Sequence, residues 1–284
     1  MLMLKAYAKI NLGLNIVNRD PQDGYHNLDM VVVPIELHDR IEIELLPYGF
    51  DTLITSDDCE LPTDETNIVS KVERALRKKY GYTQQLRIHI HKNIPMGAGL
   101  GGGSADGAAV LIGLNKLLKL KMSEEEMCRI GYKIGSDIPF CLKNSAARVQ
   151  GKGEVLTPIK VKKPYGALIV FPKTALSTGK IYSEFDATGA SGSADISGII
   201  EALEKDDLNL LDRSMGNELE KTAVGFCSSI VKVKQEMKEL GLSNAMMTGS
   251  GSAVFGLSHD PKLLRRAADH LEGLGFKVLL SQTR

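Results

Sequence analysis

Tryptophan is absent from this chain of 284 residues, and aromatic residues make up only 5% of it. An aromatic platform that stacks single-stranded nucleic acid is therefore not expected. Net charge is lacking as well: 35 Lys and Arg face 35 Asp and Glu. That balance excludes a general attraction to nucleic acid or to acidic membranes, so any anion site must be local. The four cysteines, Cys59, Cys128, Cys141 and Cys227, lack the paired spacing of a metal site and read as free thiols of a cytoplasmic protein. No apolar run approaches the ~20 residues of a membrane span. The N-terminus enters an alternating pattern at once, where a secretory leader would place a charged and then an apolar run. No nucleic acid and no membrane are expected as partners.

What is present is an ordinary globular composition, 25% charged and 43% apolar, in a chain long enough for one large domain or two smaller ones. Ile10, Leu12, Leu14 and Ile16 alternate with smaller or polar residues and predict a half-buried strand. Residues 20–24 (DPQDG) are a turn signal. Residues 27–34 and 39–46 predict two further strands. Ile68, Val69, Val72 and Leu76 share one face of a helix over 66–79. Leu86, Ile88 and Ile90 alternate with Arg87, His89 and His91, a strand with its histidines turned outward. Ser123 is the expected N-cap of a helix reaching about residue 133, and residues 135–142 read as short and irregular. A hairpin is expected around Gly151 and Gly153, with a linker at 160–164 (KVKKP). Beyond it, strands are expected at 167–171, 244–248, 253–257 and 277–281. Helices are expected at 179–185, 196–203, 217–224, 228–240 and 261–271, and a small-residue loop at 189–193. Strands mixed with helices and hairpins favour an α+β fold.

The most informative stretch is 94–106, IPMGAGLGGGSAD. Gly97, Gly99, Gly101, Gly102 and Gly103 fall within seven positions, and an alanine-rich helical pattern follows over 104–120. Glycines expose backbone N–H groups, and a helix N-terminus adds unpaired donors at a positive dipole end, so the pair predicts a phosphate-binding loop. The dinucleotide pattern G-x-G-x-x-G is matched, but the acidic residues about 20 positions on, Glu124 to Glu126, look like the first turn of a helix. No Lys follows the glycines, which sets aside G-x-x-x-x-G-K-[ST].

The segments YAKINLGL (7–14), GSDIPF (135–140) and TGSGSAVF (248–255), together with the glycine stretch, resemble the GHMP small-molecule kinases along essentially the whole chain. The resemblance implies a two-domain α+β kinase: a ribosomal S5-like N-terminal domain over 1–162 and a ferredoxin-like C-terminal domain over 163–284, with the active site in the cleft between. It implies ATP as phosphoryl donor, with Mg²⁺ delivered by the nucleotide, since the sequence shows no dedicated cluster of metal ligands. Pro95, Met96, Gly97, Ala98, Gly99, Leu100, Gly101, Gly102, Gly103 and Ser104 would hold ATP. Asp137 would serve as the base, with Lys9 stabilising charge on the transferring group and orienting the hydroxyl. Within the family, the segment DGYHNLDMVV (23–32) narrows the implied substrate to a small alcohol linked to cytidine diphosphate. Tyr25, His26 and Tyr182 would recognise cytosine, and Asn11 would hydrogen-bond the substrate. A monomer or weak homodimer is expected.

Each of these residues also has a plainer reading. Lys9 would otherwise be a solvated charge, Asp137 a helix cap, residues 248–255 a hairpin bend and Tyr25–His26 an exposed turn. Another GHMP kinase, acting on mevalonate, homoserine or a sugar, and a catalytically silent homologue remain as alternatives. Two departures from the family pattern stand out. Tyr7 occupies a position usually held by Pro, and Pro34 sits inside a strand pattern, which suggests an edge or bulge.

Overall fold

The computed structural model describes residues 1–46, 52–172, 174–188 and 193–284; the loop expected at 189–193 lies outside them except for Ser193. Two long strands open the chain, β1 (Leu2–Arg19) and β2 (His26–Leu46). The turn between them is set by its aspartates: Asp20 accepts from the Gln22 N–H and Asp23 from the Tyr25 N–H. There follow β3 (Leu53–Ser56), α1 (Ile68–Tyr80), β4 (Gln85–His91), α2 (Gly102–Leu117), α3 (Glu124–Tyr132), α4 (Ile138–Lys143) and the hairpin β5 (Ala147–Gly151) with β6 (Val155–Pro158). The remainder is β7 (Gly166–Phe171), α5 (Thr178–Thr188), α6 (Ile196–Lys205), α7 (Leu208–Ser214), β8 (Gly216–Asn217), α8 (Glu220–Phe226), α9 (Ser229–Glu239), β9 (Met246–Met247), β10 (Val254–Ser258), α10 (Pro261–Gly273) and β11 (Lys277–Gln282). The architecture is the two-domain α+β kind expected.

The chain divides into two compact units, neither of them one continuous stretch. The first comprises Met1–Ala8, Leu37–Met96 and Gly101–Asn144; the second comprises Lys9–Glu36, Gly97–Leu100 and Ser145–Arg284. In the first unit β4 lies between β3, which it pairs in parallel, and the C-terminal half of β2, which it pairs antiparallel. Alternation puts Leu86, Ile88 and Ile90 on one face of β4. They pack with Ile41 and Ile43 of β2, Val69, Val72 and Leu76 of α1, and Val110, Leu111 and Leu114 of α2. Asn67 caps α1 by accepting from the Val69 N–H, and Ser123 caps α3 by accepting from the Glu126 N–H.

In the second unit the N-terminal half of β2 pairs with β5, and β1 pairs in parallel with β8. An antiparallel sheet of order β11-β7-β10-β9 lies in the same unit. Val254, Phe255 and Leu257 of β10 and Leu168, Ile169 and Val170 of β7 are buried, as are Ile230 and Val233 of α9 and Ala267 and Leu271 of α10.

Several expectations are corrected. The β1 segment 9–14 is buried at every residue, not half-buried, because α6 covers its second face: a Cβ on Gly13 would stand 2.7 Å from Ile199 Cδ1. Residues 27–34 and 39–46 are one strand. Pro34 lies outside the registers that pair β2 with β4 and with β5, and its carbonyl accepts from the Arg284 N–H. Residues 135–142 are not irregular but contain α4, whose Pro139 sits in the first turn, where an N–H would be unpaired anyway. The helix expected from 217 begins at Glu220, because Asn217 belongs to β8. The glycine-rich helix starts at Gly102, two residues before Ser104. Among the described residues no helix is long and apolar enough to cross a membrane.

Candidate active site

In the second unit the middle of the glycine stretch meets the second glycine turn, backbone to backbone. Gly99 has φ +77°, and a Cβ there would fall 2.2 Å from the Thr248 carbonyl oxygen; a Cβ on Gly249 would fall 2.8 Å from the Gly99 carbonyl oxygen. No side chain fits at either position, so glycine is required by space and by conformation together. Hydrogen bonds fix the approach. The Ala253 N–H donates to Ala98 O (3.3 Å), the Leu176 N–H to Gly97 O (3.3 Å) and the Gly251 N–H to Thr248 O (3.0 Å). Asn217 braces the turn from behind by donating to the Met247 and Gly249 carbonyls, both at 2.9 Å.

Lys9 and Asn11 of β1 complete this cluster. The Lys9 N–H donates to Leu100 O (3.0 Å), and its Nζ donates to Asn11 Oδ1 (2.6 Å). The Asn11 N–H donates to Thr248 Oγ1 (3.0 Å). Lys9 is only 6% exposed, so it is not a solvated surface charge. A Cβ on Gly249 would stand 3.3 Å from Lys9 Nζ, which puts the ammonium against the glycine turn.

In the first unit Gly101 (φ +69°) is the N-cap of α2, and Gly102, Gly103 and Ser104 form its first turn. Ser104 Oγ faces the GSDIPF segment, 3.4 Å from where a Cβ on Gly135 would lie. Asp137 occupies the N-cap position of α4 but makes no side-chain capping hydrogen bond. Pro95 and Met96 precede the glycines in the same unit.

Beneath this loop is an ion group that sequence reading missed. Lys92 bridges Asp39 and Asp106, and all three side chains are almost fully buried. Asp39 Oδ1 also accepts from the N–H groups of Asn93 (2.6 Å) and Ile94 (2.8 Å), fixing the chain as it leaves β4 for the glycines. Burial pushes the Asp106 carboxyl well above the usual carboxylate range, against the opposing pull of Lys92. Burial lowers the Lys92 ammonium, but the two carboxylates together raise it. Three charged residues so far apart in sequence carry no motif. Only the position of Lys92 at a strand end, two residues before the loop, offered a signal.

The expected cytosine end lies in the second unit. His26 and Tyr182 have ring centroids 5.1 Å apart, and Phe185 meets His26 edge-on at 6.3 Å. His26 Nε2 lies 2.7 Å from Asp186, which also pairs with Arg19. Tyr182, Phe185 and Asp186 recur at i, i+3 and i+4 on α5 and so face His26 from one side of that helix. Tyr25 stands 67% exposed at the turn. Lys152, between β5 and β6, clasps the turn through Asp20 and Asp23. Asp186 and Lys152 carried no sequence signal as supports of this hairpin.

Comparison with known proteins identifies the family. A model described as the GHMP kinases N terminal domain matches residues 67–145, and one described as GHMP kinases C terminal matches residues 199–275. The chain belongs to the GHMP kinase family and is a small-molecule kinase using ATP as phosphoryl donor. It is 37% identical over 282 residues to the 4-diphosphocytidyl-2-C-methyl-D-erythritol kinase of Caldanaerobacter subterraneus, covering 99% of this chain and 96% of that one. A protein of the same name from a Geobacillus species is 38% identical, covering 98% of this chain and 95% of that one. A crystal structure of 4-(cytidine 5'-diphospho)-2C-methyl-D-erythritol kinase superposes with TM-score 0.83 at 30% identity, covering 99% of each chain. Homoserine kinase from Cytophaga hutchinsonii superposes at 0.72 with 19% identity over 100% of this chain and 96% of that one, a likeness of fold.

Two outcomes follow from this geometry. Gly99→Ala should lose about 1–3 kcal/mol from backbone strain alone, and more from the clash with Thr248, in urea unfolding. Gly275→Ala, at φ +83° with open space around it, should lose only the strain; equal losses would show that the close approach does not matter. The second concerns pH. Because the folded Asp106 carboxyl is raised, its stabilising contribution is full below the ordinary Asp value of about 4 and is lost as pH rises through the raised folded value. Unfolding free energy should therefore fall over that interval, and Asp106→Asn should flatten this part of the profile. An unchanged slope in the variant would count against the assignment.

Proposed function

We propose that the chain transfers the γ-phosphoryl group of ATP to the 2-hydroxyl of 4-diphosphocytidyl-2-C-methyl-D-erythritol, a step of non-mevalonate isoprenoid precursor synthesis. The observation that carries the choice of substrate is the likeness to relatives of that name along 98–99% of the chain. Solved structures of the fold named for other substrates, homoserine kinase and mevalonate kinase among them, are only 13–19% identical.

The residues fit such a transfer. Backbone N–H groups from Gly97 to Gly103, Ala98 and Leu100 included, cradle the ATP phosphates after Pro95 and Met96, and the Ser104 hydroxyl sits in the first turn of α2 beside the positive dipole end. Gly97, Gly99 and Gly101 all take positive φ, a backbone conformation that glycine adopts readily and that suits a loop lined by its own N–H groups. Mg²⁺, which keeps several waters and few protein ligands in such sites, neutralises phosphate charge when bound with ATP, and Ser104 is the residue suited to it. Asp137 accepts the proton of the attacking hydroxyl. Lys9, oriented by Asn11, stabilises the charge that develops on the transferring group. Tyr25 and Tyr182 stack on cytosine, His26 reads its edge, and Asp186 and Lys152 hold that hairpin in place. The exposed Tyr25 ring has a face available for a base.

A coupled assay of ADP release tests the substrate: turnover is expected with the cytidine compound, and faster turnover with mevalonate or homoserine would overturn the reading. Asp137→Asn and Lys9→Ala should each lower kcat by roughly 10²–10⁴; a folded Asp137→Asn enzyme with near-wild-type turnover would remove Asp137 as the base. Tyr25→Ala should raise KM for the cytidine compound by roughly 5–150-fold, the equivalent of about 1–3 kcal/mol of stacking. An unchanged KM would rule out stacking on that ring.

A further inference from the structure

The phosphoryl-transfer reading leaves one group of chemically active side chains without a use. On β4, Leu86, Ile88 and Ile90 face the core of the first unit, so Arg87, His89 and His91 occupy the opposite face. By sequence alone, two outward histidines stand there with no third metal ligand beside them. The fold changes that. β3 pairs β4 in parallel with Thr55 opposite His89 and Ser56 opposite Ile90, which carries the next residue, Asp57, to the level of His91. One nitrogen from each histidine and one oxygen of Asp57 lie within 4.8 Å of one another. We propose that Asp57, His89 and His91 form a binding site for a divalent transition cation of the zinc class.

Two features make this more than a surface cluster. Two histidines at i and i+2 on one strand face have parallel side-chain directions, and here their ring centroids stand 4.4 Å apart. Each donor is also held by a second partner. Asp57 Oδ1 accepts from the Lys92 N–H (2.8 Å), which aims Oδ2 at His91 Nδ1 (3.2 Å). His89 Nδ1 meets Thr55 Oγ1 at 2.7 Å; when that nitrogen donates, the Nε2 lone pair is available to a metal. His91 Nε2 lies 3.1 Å from Glu42, so Nδ1 can serve as its ligand atom while the carboxylate holds the far side of the ring. Arg40 approaches the same nitrogen at 2.9 Å and also pairs with Glu42 at 3.5 Å. A carboxylate or hydroxyl behind a ligating imidazole is the usual support of such sites.

Two nitrogens and one oxygen select among cations. Mg²⁺ prefers all-oxygen octahedra, whereas imidazole suits Zn²⁺, Ni²⁺, Co²⁺ and Cu²⁺. The site is thus chemically distinct from any metal that arrives with ATP. Three protein ligands leave at least one position for water. Bound metal would tie the end of β3 to β4 next to Lys92, whose side chain holds the buried ion group beneath the glycine loop. Because the unfolded chain separates these ligands, metal binding stabilises the folded unit by mass action.

Full-length, untagged protein without nucleotide should be titrated with Zn²⁺ in competition with a chromophoric chelator, and its Tm followed with and without Zn²⁺. One equivalent per chain and a higher Tm are expected. His89→Ala and His91→Ala should each weaken binding at least about tenfold, since supporting partners alone are worth about 10–100-fold at such sites. Asp57→Asn, which preserves shape, supplies the same comparison should either alanine variant fail to fold. Cys59→Ser controls for the exposed thiol nearby and should bind as wild type. Absence of Zn²⁺ binding, binding unaffected by the ligand substitutions, or binding lost with Cys59 would each overturn the site.

Discussion

The arrangement of the second unit depends on two backbones that touch where no side chain could stand. Gly99 lies against the Thr248 carbonyl, and Gly249 against the carbonyl of Gly99. This contact joins parts of the chain about 150 positions apart and gives Lys9 and Asn11 their surroundings. The Asn11 N–H donates to the Thr248 side-chain hydroxyl, and the Lys9 N–H donates to the Leu100 carbonyl. Hydrogen bonds between main-chain groups, here Lys9 N–H to Leu100 O and Ala253 N–H to Ala98 O, are less adaptable than side-chain contacts, so they fix the backbone N–H groups of the loop before any ligand arrives. Preorganised donors of this kind are what a developing phosphoryl charge requires.

Charge is handled differently on the two sides of the glycine stretch. The loop contains no lysine, and Lys92, two residues before Ile94, is committed to Asp39 and Asp106. A buried ion group of this sort contributes little net stability, because desolvation offsets much of the attraction, yet removing one member would strand the others. Its structural effect is local: Asp39 holds the N–H groups of Asn93 and Ile94, and these set the path of the chain into the loop. Lys9 is buried as well, and its Nζ donates to the Asn11 amide oxygen.

Much of the candidate site was legible because it is written in local patterns. Glycine spacing over 97–103, the strand before it and the helix after it declared a phosphate loop. The Asp20 and Asp23 turns declared the hairpin that carries Tyr25 and His26. The errors share a cause. Residues 135–142 read as irregular because a six-residue helix is too short to show a period. β1 read as half-buried because its alternate residues are small or polar, and only the packing of Ile199 against Gly13 shows that both faces are covered.

Sequence by itself determined the family, the order of elements and the residue types able to bind phosphate and take up a proton, since each rests on neighbours a few positions apart. Tertiary structure alone decided what depends on distant partners. It showed that Lys9 is buried beside Asn11 and that Asp186 and Lys152 hold the aromatic hairpin. It also placed Lys92 between two buried carboxylates and drew Asp57 beside His89 and His91. These relations are set by strand register and backbone contact across long loops, and no local pattern of residues encodes them.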